Sequence, residues 1–127
     1  MQKTVEIQGK PIEISTTKEA DAILSSRKLP VCVEMELLFD ALVSKKVRFL
    51  PFNESALQTN NSTNLTVNIN DKLSTRFRPV MMQCDKGAQQ SAQCHLTDFP
   101  IRKITPYVPK WLRIDFRFGH WFGEFGY

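Results

Sequence analysis

Hydrophobic and polar residues alternate through much of the chain, the pattern of β-strands with one buried face. Near the N-terminus, Val5 and Ile7 alternate with polar neighbours, Ile12 and Ile14 do the same, and Gly9 lies between the two runs. Glycine adopts positive φ without strain. The pattern therefore predicts a β-hairpin over residues 4 to 15.

The next segment has helical spacing. Thr16 and Glu19 stand three positions apart, the spacing of a capping box, and Ala20 and Leu24 fall on one helical face. Pro30 then ends the segment, because proline cannot continue a helix. We expect one N-terminal helix here.

Residues 31 to 43 fit either a strand or a helix. Apolar residues alternate from Val31 to Phe39, which favours a strand, but residues 34 to 42 are also rich in good helix formers. We choose a strand that returns through a second strand ending at Pro51. Its outward face would then carry Glu34 and Glu36 as solvated carboxylates.

The middle of the chain predicts one more hairpin between loops. Residues 53 to 63 are almost entirely polar and predict a surface loop. Alternation over residues 65 to 77 predicts a hairpin, and Pro79 places its end at an edge or bulge. Residues 84 to 98 predict a polar loop, and three prolines predict an extended chain over residues 101 to 110.

The C-terminal tract is the main local anomaly, because its last 21 positions hold eight of the chain's 13 aromatic residues. The residues from Phe118 to Trp121 fit a hairpin with a two-residue type II′ loop, Gly119 and His120. That register gives the hairpin an apolar inner face, formed by Leu112, Ile114, Phe116, Phe118, Trp121, Phe125 and Tyr127.

The other face of this hairpin carries Trp111, Arg113, Arg117 and Phe122, together with Asp115, which that register places opposite Glu124. Two interpretations remain open for it. The charged residues fit a solvated mixed-charge ladder, whereas Trp and Arg are typical anchors at interfaces. We take Trp111, Arg113, Arg117 and Phe122 as the candidate partner-binding residues.

These elements predict an α+β fold: mainly antiparallel β-hairpins that form a curled sheet or small barrel-like sheet, with one N-terminal helix. The length of 127 residues suits a single globular domain, residues 1–127. No internal repeat or low-complexity tract divides it.

The charge and the cysteines bear on location. Three of the four excess positive charges fall in residues 101 to 127, a bias that is compatible with polyanion contact but far from a dense basic tract. Neither a signal peptide nor a transmembrane stretch is visible, so we expect a cytoplasmic protein with no membrane contact. Cys32, Cys84 and Cys94 should then be reduced thiols.

A metal site would have to use Cys84, Cys94 and His95, with Cys32 or His120. The spacing does not suit zinc, which usually takes ligand pairs two to four positions apart. We therefore expect no metal, and the scattered glycines form no phosphate-binding loop that would indicate a nucleotide cofactor.

Two catalytic arrangements can be written down, without a motif for either. Cys94 could act as a nucleophile with His95 or His120 as its base, but adjacent side chains on an extended segment point apart. Glu34 and Glu36 share a strand face and could form a general acid/base pair. The catalytic residues stay unknown, and we expect no enzyme.

The sequence thus predicts a small cytosolic, non-catalytic binding or assembly module that uses a β-sheet surface, with a protein partner or a homodimer. One alternative is a nucleic-acid-binding domain in which Arg102, Lys103 and Lys110 extend the basic-aromatic hairpin. A second alternative is a thiol- or metal-dependent protein that uses Cys84, Cys94 and a histidine.

Overall fold

The computed structural model describes residues 1 to 40, 42 to 51, 65 to 84 and 94 to 127, so the loop predicted over residues 53 to 63 lies outside the described residues. In chain order, the described elements are β1 (Gln2–Ile7), β2 (Lys10–Thr16), α1 (Lys18–Ser26), β3 (Val31–Phe39), β4 (Ser44–Pro51), β5 (Thr66–Asn70), β6 (Leu73–Cys84), β7 (Cys94–Asp98), a 3₁₀ helix (Thr105–Tyr107), β8 (Trp111–Arg117) and β9 (His120–Gly126).

The strands form two sheets with the orders β1-β2-β8-β9 and β4-β3-β6-β5, and β7 pairs with β6 beyond the end of β5. In each sheet, two antiparallel hairpins meet through a parallel pair of inner strands, β2 with β8 and β3 with β6. The α+β class with one N-terminal helix is confirmed. The prediction of a curled or barrel-like sheet is wrong, because neither sheet closes.

The hairpins do not all pair in the order of the sequence. The first hairpin, β1 and β2, joins the last, β8 and β9, and local sequence patterns do not reveal that pairing.

One apolar core joins the two sheets, since its buried residues come from both of them. Those residues are Val5, Ile7, Ile12, Ile14, Leu112, Ile114 and Phe125 from the first sheet, and Val31, Val33, Met35, Leu37, Ile69, Leu73 and Phe77 from the second. Helix α1 adds Ala20 and Leu24. The core covers one side of the first sheet, and the other side of that sheet is therefore available as a surface.

The N-terminal hairpin and helix follow the sequence closely. Gln8 and Gly9 turn between β1 and β2 with φ of 53° and 75°, the two positive values of a type I′ turn. The helix is capped by Thr17, whose hydroxyl accepts from the amide of Ala20, and not by Thr16, which still belongs to β2. No helix in the described ranges is long and apolar enough to cross a membrane.

The strand over Val31–Phe39 is confirmed, but the solvated face predicted for it is wrong. The side chains of Glu34 and Glu36 are 2% and 3% exposed. Glu34 Oε1 accepts from Arg76 Nη2 at 2.8 Å, and Glu36 Oε2 accepts from Arg48 Nε at 2.6 Å. The arginines come from β6 and β4 on either side of β3, so only the sheet order brings these charges together.

The predicted loop over residues 84 to 98 is partly strand, because β6 continues to Cys84 and Cys94–Asp98 returns beside it as β7. Its polar sequence hides this, since β7 lies at the edge of the sheet and buries little apolar surface. Pro79 stands between the last pairing of β6 with β5, at Arg76, and its first pairing with β7, at Val80. Its missing N–H therefore interrupts neither of these two ladders, but Pro79 is not at the end of β6, because it pairs with Leu37 of β3.

The prolines had predicted an extended chain over residues 101 to 110, but part of this segment is not extended. Thr105–Tyr107 forms a single 3₁₀ turn, with Pro106 within its first two positions. Proline suits the first turn of a helix, because no intrahelical bond needs its N–H there. The chain then enters β8 through Lys110, whose amide donates to the carbonyl of Gly126 at 2.8 Å.

Candidate functional site

The turn of the C-terminal hairpin lies one residue earlier than predicted. Phe118 and Gly119 form it, with φ of 53° and 76°, so it is a type I′ turn and not the predicted type II′ turn at Gly119 and His120. Each residue consequently faces a partner two positions away from the predicted one, for example Asp115 opposite Phe122. A shift of two leaves every side chain on its predicted face.

The inner face matches the prediction except at its two ends. Leu112, Ile114 and Phe125 are buried. Phe118 is 89% exposed because it forms the turn, and Tyr127 is 50% exposed, so their predicted burial is wrong. Aromatic rings near the turn nevertheless pack against one another. Trp121 contacts Phe116 edge to face and stacks on Phe49 of β4.

The two glycines of β9 mark close approaches. A Cβ at Gly126 would lie 2.5 Å from Cζ2 of Trp111, so the indole covers the backbone of the neighbouring strand. A Cβ at Gly123 would lie 2.5 Å from Cγ1 of Val47, where β9 meets β4. The position of Trp111 therefore depends on a glycine opposite it.

The outward face of this hairpin borders a cavity of about 540 Å³. The residues that line it are Ser15, Thr16, Thr17, Arg113, Ile114, Asp115, Arg117, Phe122, Gly123 and Glu124. Three of the four candidate partner-binding residues are among them. The fourth, Trp111, does not line the cavity but contacts Arg113. We refer to Trp111, Arg113, Arg117 and Phe122 as the outer hairpin face.

Each arginine of the outer hairpin face lies over an aromatic ring. The Cζ atom of Arg113 lies 4.8 Å from the ring centroid of Trp111, two positions earlier on β8. The Cζ atom of Arg117 lies 4.7 Å from the ring centroid of Phe122, which stands diagonally across on β9. A cation in this position is attracted by the ring, and a guanidinium group presents N–H donors that match planar acceptors.

Asp115 lies between the two arginines and makes three contacts. Its Oδ2 accepts from Arg117 Nε at 2.8 Å, and its Oδ1 accepts from the Thr17 hydroxyl and from the Phe116 amide, both at 2.7 Å. Strand β2 ends at Thr16, so among the described strands β8 has no parallel partner beyond Ile114. The Asp115 carboxylate thus supplies an acceptor at the edge that β2 leaves.

Arg113 has no such partner. In the part of the chain that the structure describes, no carboxylate lies within ion-pairing distance of it, although Glu124 is directly opposite on β9. Glu124 and Asp115 line the same cavity as Arg113 and Arg117. The formal charges of the lining therefore cancel, and the surface is mixed in sign.

A second cavity of about 590 Å³ lies at the other end of the same sheet. It is lined by Thr4, Lys10, Pro11, Glu13, Thr105, Pro106, Val108, Lys110 and Tyr127. Trp111 stands between the two cavities in the register, because its parallel partner on β2 is Glu13. Lys110, which the nucleic-acid alternative assigned to the hairpin, therefore belongs to this second cavity.

The cysteines differ from their predicted state. Cys94 is disulfide-bonded, so the expectation of three reduced thiols is wrong. The backbone of Cys94 on β7 lies directly opposite that of Cys84 on β6. The loop predicted over residues 84 to 98 would not have placed the two backbones side by side. Cys32 is free and buried, and burial raises the pKa of its thiol.

The histidines lie apart. His95 is exposed on β7 in the second sheet, and His120 is exposed at the start of β9 in the first. Within the described ranges, no three His, Cys, Asp or Glu side chains are grouped so that they could hold a metal ion. Glu34 and Glu36, the other catalytic candidates, are each bound to an arginine.

Sequence reasoning missed two polar residues of the cavity, Ser15 and Thr17. Ser15 lies beside Arg113 only because β2 and β8 pair in parallel, and Thr17 lies there because α1 begins where β2 ends. Asp115 was placed on this face by the sequence, but its hydrogen bond from Thr17 was not foreseen. No protein-family model, curated protein or solved structure matches the chain, so the functional interpretation depends on this geometry.

Proposed function

We propose that the chain is a small non-catalytic binding or assembly module that holds a protein partner on its outer hairpin face. A homodimer through the same face is one form of this function. The observation that supports the proposal is the pair of guanidinium–aromatic contacts, Arg113 on Trp111 and Arg117 on Phe122, beside the cavity.

This arrangement suits binding because it is ordered before a partner arrives. Immobilising a long side chain at an interface opposes association by about 0.5 to 1.5 kcal/mol. Here the rings already hold both arginines, and β8 and β9 are held by a ladder of seven residue pairs. The cavity volume also falls within the range of roughly 300 to 1,000 Å³ that is usual for ligand sites.

The mixed charge favours a protein over a nucleic acid. A phosphate backbone bound along the outer hairpin face would approach the carboxylates of Asp115 and Glu124, which line the same cavity. Nucleic-acid interfaces are strongly positive instead. We therefore expect neither RNA nor single-stranded DNA to bind, even at low salt, where phosphate contacts are strongest.

The disulfide bears on the thiol alternative. A cysteine in a disulfide has no thiolate, and the thiolate is the form that attacks a substrate or binds a metal. Cys94 could act in that alternative only after reduction.

The proposal can be tested by selecting peptides from a random linear library displayed on phage, with the purified protein as bait. Phe122→Ser removes a ring of the outer hairpin face, and Phe118→Ser is the matched control, because Phe118 is exposed at the turn and does not line the cavity. Selected peptides should bind the Phe122 variant at least about tenfold more weakly, a loss of roughly 1.4 kcal/mol, and the control as tightly as wild type.

The homodimer form is tested in parallel by sedimentation equilibrium of the wild type and both variants. A dimer that dissociates in the Phe122 variant alone supports the proposal. The proposal fails if the wild type selects no peptide and sediments as a monomer, or if both phenylalanine variants lose binding equally.

A further inference from the structure

We infer that the cavity beside the outer hairpin face takes a carboxylate side chain from an acidic segment of the partner protein, with the N–H edge of Arg113 as its anchor. This inference rests on the proposed function and adds the chemistry of the ligand. It follows from the difference between the two arginines and from the residues around them.

Of the two arginines that line the cavity, Arg113 makes no ion pair with any described residue, although Glu124 stands opposite it on β9. Arg113 is also exposed. Its Cζ lies over the Trp111 ring, 4.8 Å from the centroid, so the ring holds the guanidinium group beside the cavity. An edge of two parallel N–H groups matches the two oxygens of a carboxylate.

Arg117 has a different role, because its Nε already donates to Asp115 at 2.8 Å. Asp115 in turn accepts from Thr17 and Phe116, so this ion pair is tied to the helix cap and to the strand. Arg117 is therefore compensated within the chain. Arg113 makes no ion pair within the described ranges, so an incoming anion meets a guanidinium group that is not already bound to a carboxylate.

The surroundings favour a singly charged carboxylate over a phosphate. A phosphate group carries about −1.5 to −2 charges at neutral pH, and here it would stand near the carboxylates of Asp115 and Glu124. A carboxylate carries one charge. Ser15 also lines the cavity and is the parallel register partner of Arg113. Its hydroxyl offers a further hydrogen-bond donor beside the guanidinium group.

The cavity also has an apolar side, which favours an apolar residue next to the acidic residue of the partner segment. Phe122 lines the cavity and is 40% exposed, whereas Ile114 is buried on the inner face of the hairpin. An apolar residue next to the acidic one would cover the Phe122 ring. The segment that fits is thus a short peptide with one Asp or Glu beside an apolar side chain.

The test uses the peptides selected on the wild-type protein. We expect Asp or Glu to be enriched at one position, and its replacement by Asn or Gln to weaken binding to wild type about 10- to 100-fold, as the loss of a charge-assisted bond does. On Arg113→Gln the same peptide replacement should change the affinity less than threefold. Arg102→Gln, at an exposed arginine outside the cavity lining, should behave as wild type.

Three results would overturn the inference while leaving the proposed function intact. They are selected peptides without an acidic residue, an acidic residue whose replacement has the same effect on wild type and on Arg113→Gln, and tighter binding when phosphoserine replaces the acidic residue. If no peptide is selected and the protein is monomeric, the proposed function fails and the inference fails with it.

Discussion

The hydroxyl of Thr17 donates a hydrogen bond of 2.7 Å to Oδ1 of Asp115, 98 positions later in the chain. The same hydroxyl accepts from the amide of Ala20 at 3.2 Å and so caps α1. One carboxylate therefore joins the start of the helix, the free edge of β8 and the guanidinium of Arg117. The geometry of the outer hairpin face depends on these contacts of Asp115.

Replacing Asp115 with alanine should lower the free energy of unfolding by about 1 to 3 kcal/mol. The change removes the acceptor of the Thr17 hydroxyl and of the Phe116 amide, and each hydrogen bond contributes roughly 1 kcal/mol, more when an ion takes part. Urea unfolding of both proteins at pH 7 measures the difference.

Arg117→Gln is the control for this change, because it breaks only the exposed ion pair with Asp115. Such pairs contribute roughly 0 to 1 kcal/mol. If Asp115→Ala and Arg117→Gln lowered stability equally, the carboxylate would not join the helix to the strand as described.

Phe118→Asn should raise stability by about 0.5 to 1 kcal/mol, of the size seen when a turn residue comes to match its backbone conformation. Phe118 has φ of 53° in the first position of a type I′ turn, where asparagine followed by glycine is preferred. The ring is 89% exposed, so little burial is lost. Thermal unfolding of Phe118→Asn and Phe118→Ala separates the two effects, since only asparagine should stabilise. An equal gain for both variants would argue against the turn.

Glu34→Gln should destabilise the protein by about 3 to 5 kcal/mol, the range for breaking one side of a buried ion pair. Its partner, Arg76, has a side chain only 4% exposed. Glu36→Gln is the matched comparison and should lose less, because the side chain of Arg48 is 38% exposed and water can solvate it. Equal losses in guanidinium unfolding would contradict the burial of this pair.

Tyr127 should give the protein a stability term that disappears in strong alkali. Burial raises the pKa of its phenol from 10.0 to about 12, so the folded state favours the neutral form. This contribution is complete well below pH 10, where the phenol is neutral in both the folded and the unfolded state, and it is lost as the pH rises to about 12. In Tyr127→Phe the loss of stability between these pH values should be smaller than in wild type. Parallel curves for the two proteins would refute the shift.

Local patterns were sufficient for the N-terminal hairpin and for which side of the strands in the C-terminal hairpin faces the core. Val5 and Ile7 pointed to the core because alternation alone decides the face of a strand. The same rule placed Arg113 and Arg117 outward even though the turn was one residue off, because the register error was an even number of positions.

Long-range pairing could not be predicted in the same way. Glu34 looked solvated because its partner, Arg76, is 42 positions away and becomes a neighbour only when β3 and β6 pair in parallel. The role of Asp115 was hidden for a similar reason, since it depends on where β2 ends beside β8. The candidate arginines were thus visible in the sequence, but the groups that distinguish them were not.

Binding at the outer hairpin face can be located by a chemical-shift map of the ¹⁵N-labelled protein with one selected peptide. We expect perturbed backbone amides in residues 111 to 117 and 122 to 124, together with a shift of the Arg113 Nε–Hε signal. Shifts confined to the second sheet, or an unchanged Arg113 side chain beside perturbed residues elsewhere, would show that the peptide binds at another surface.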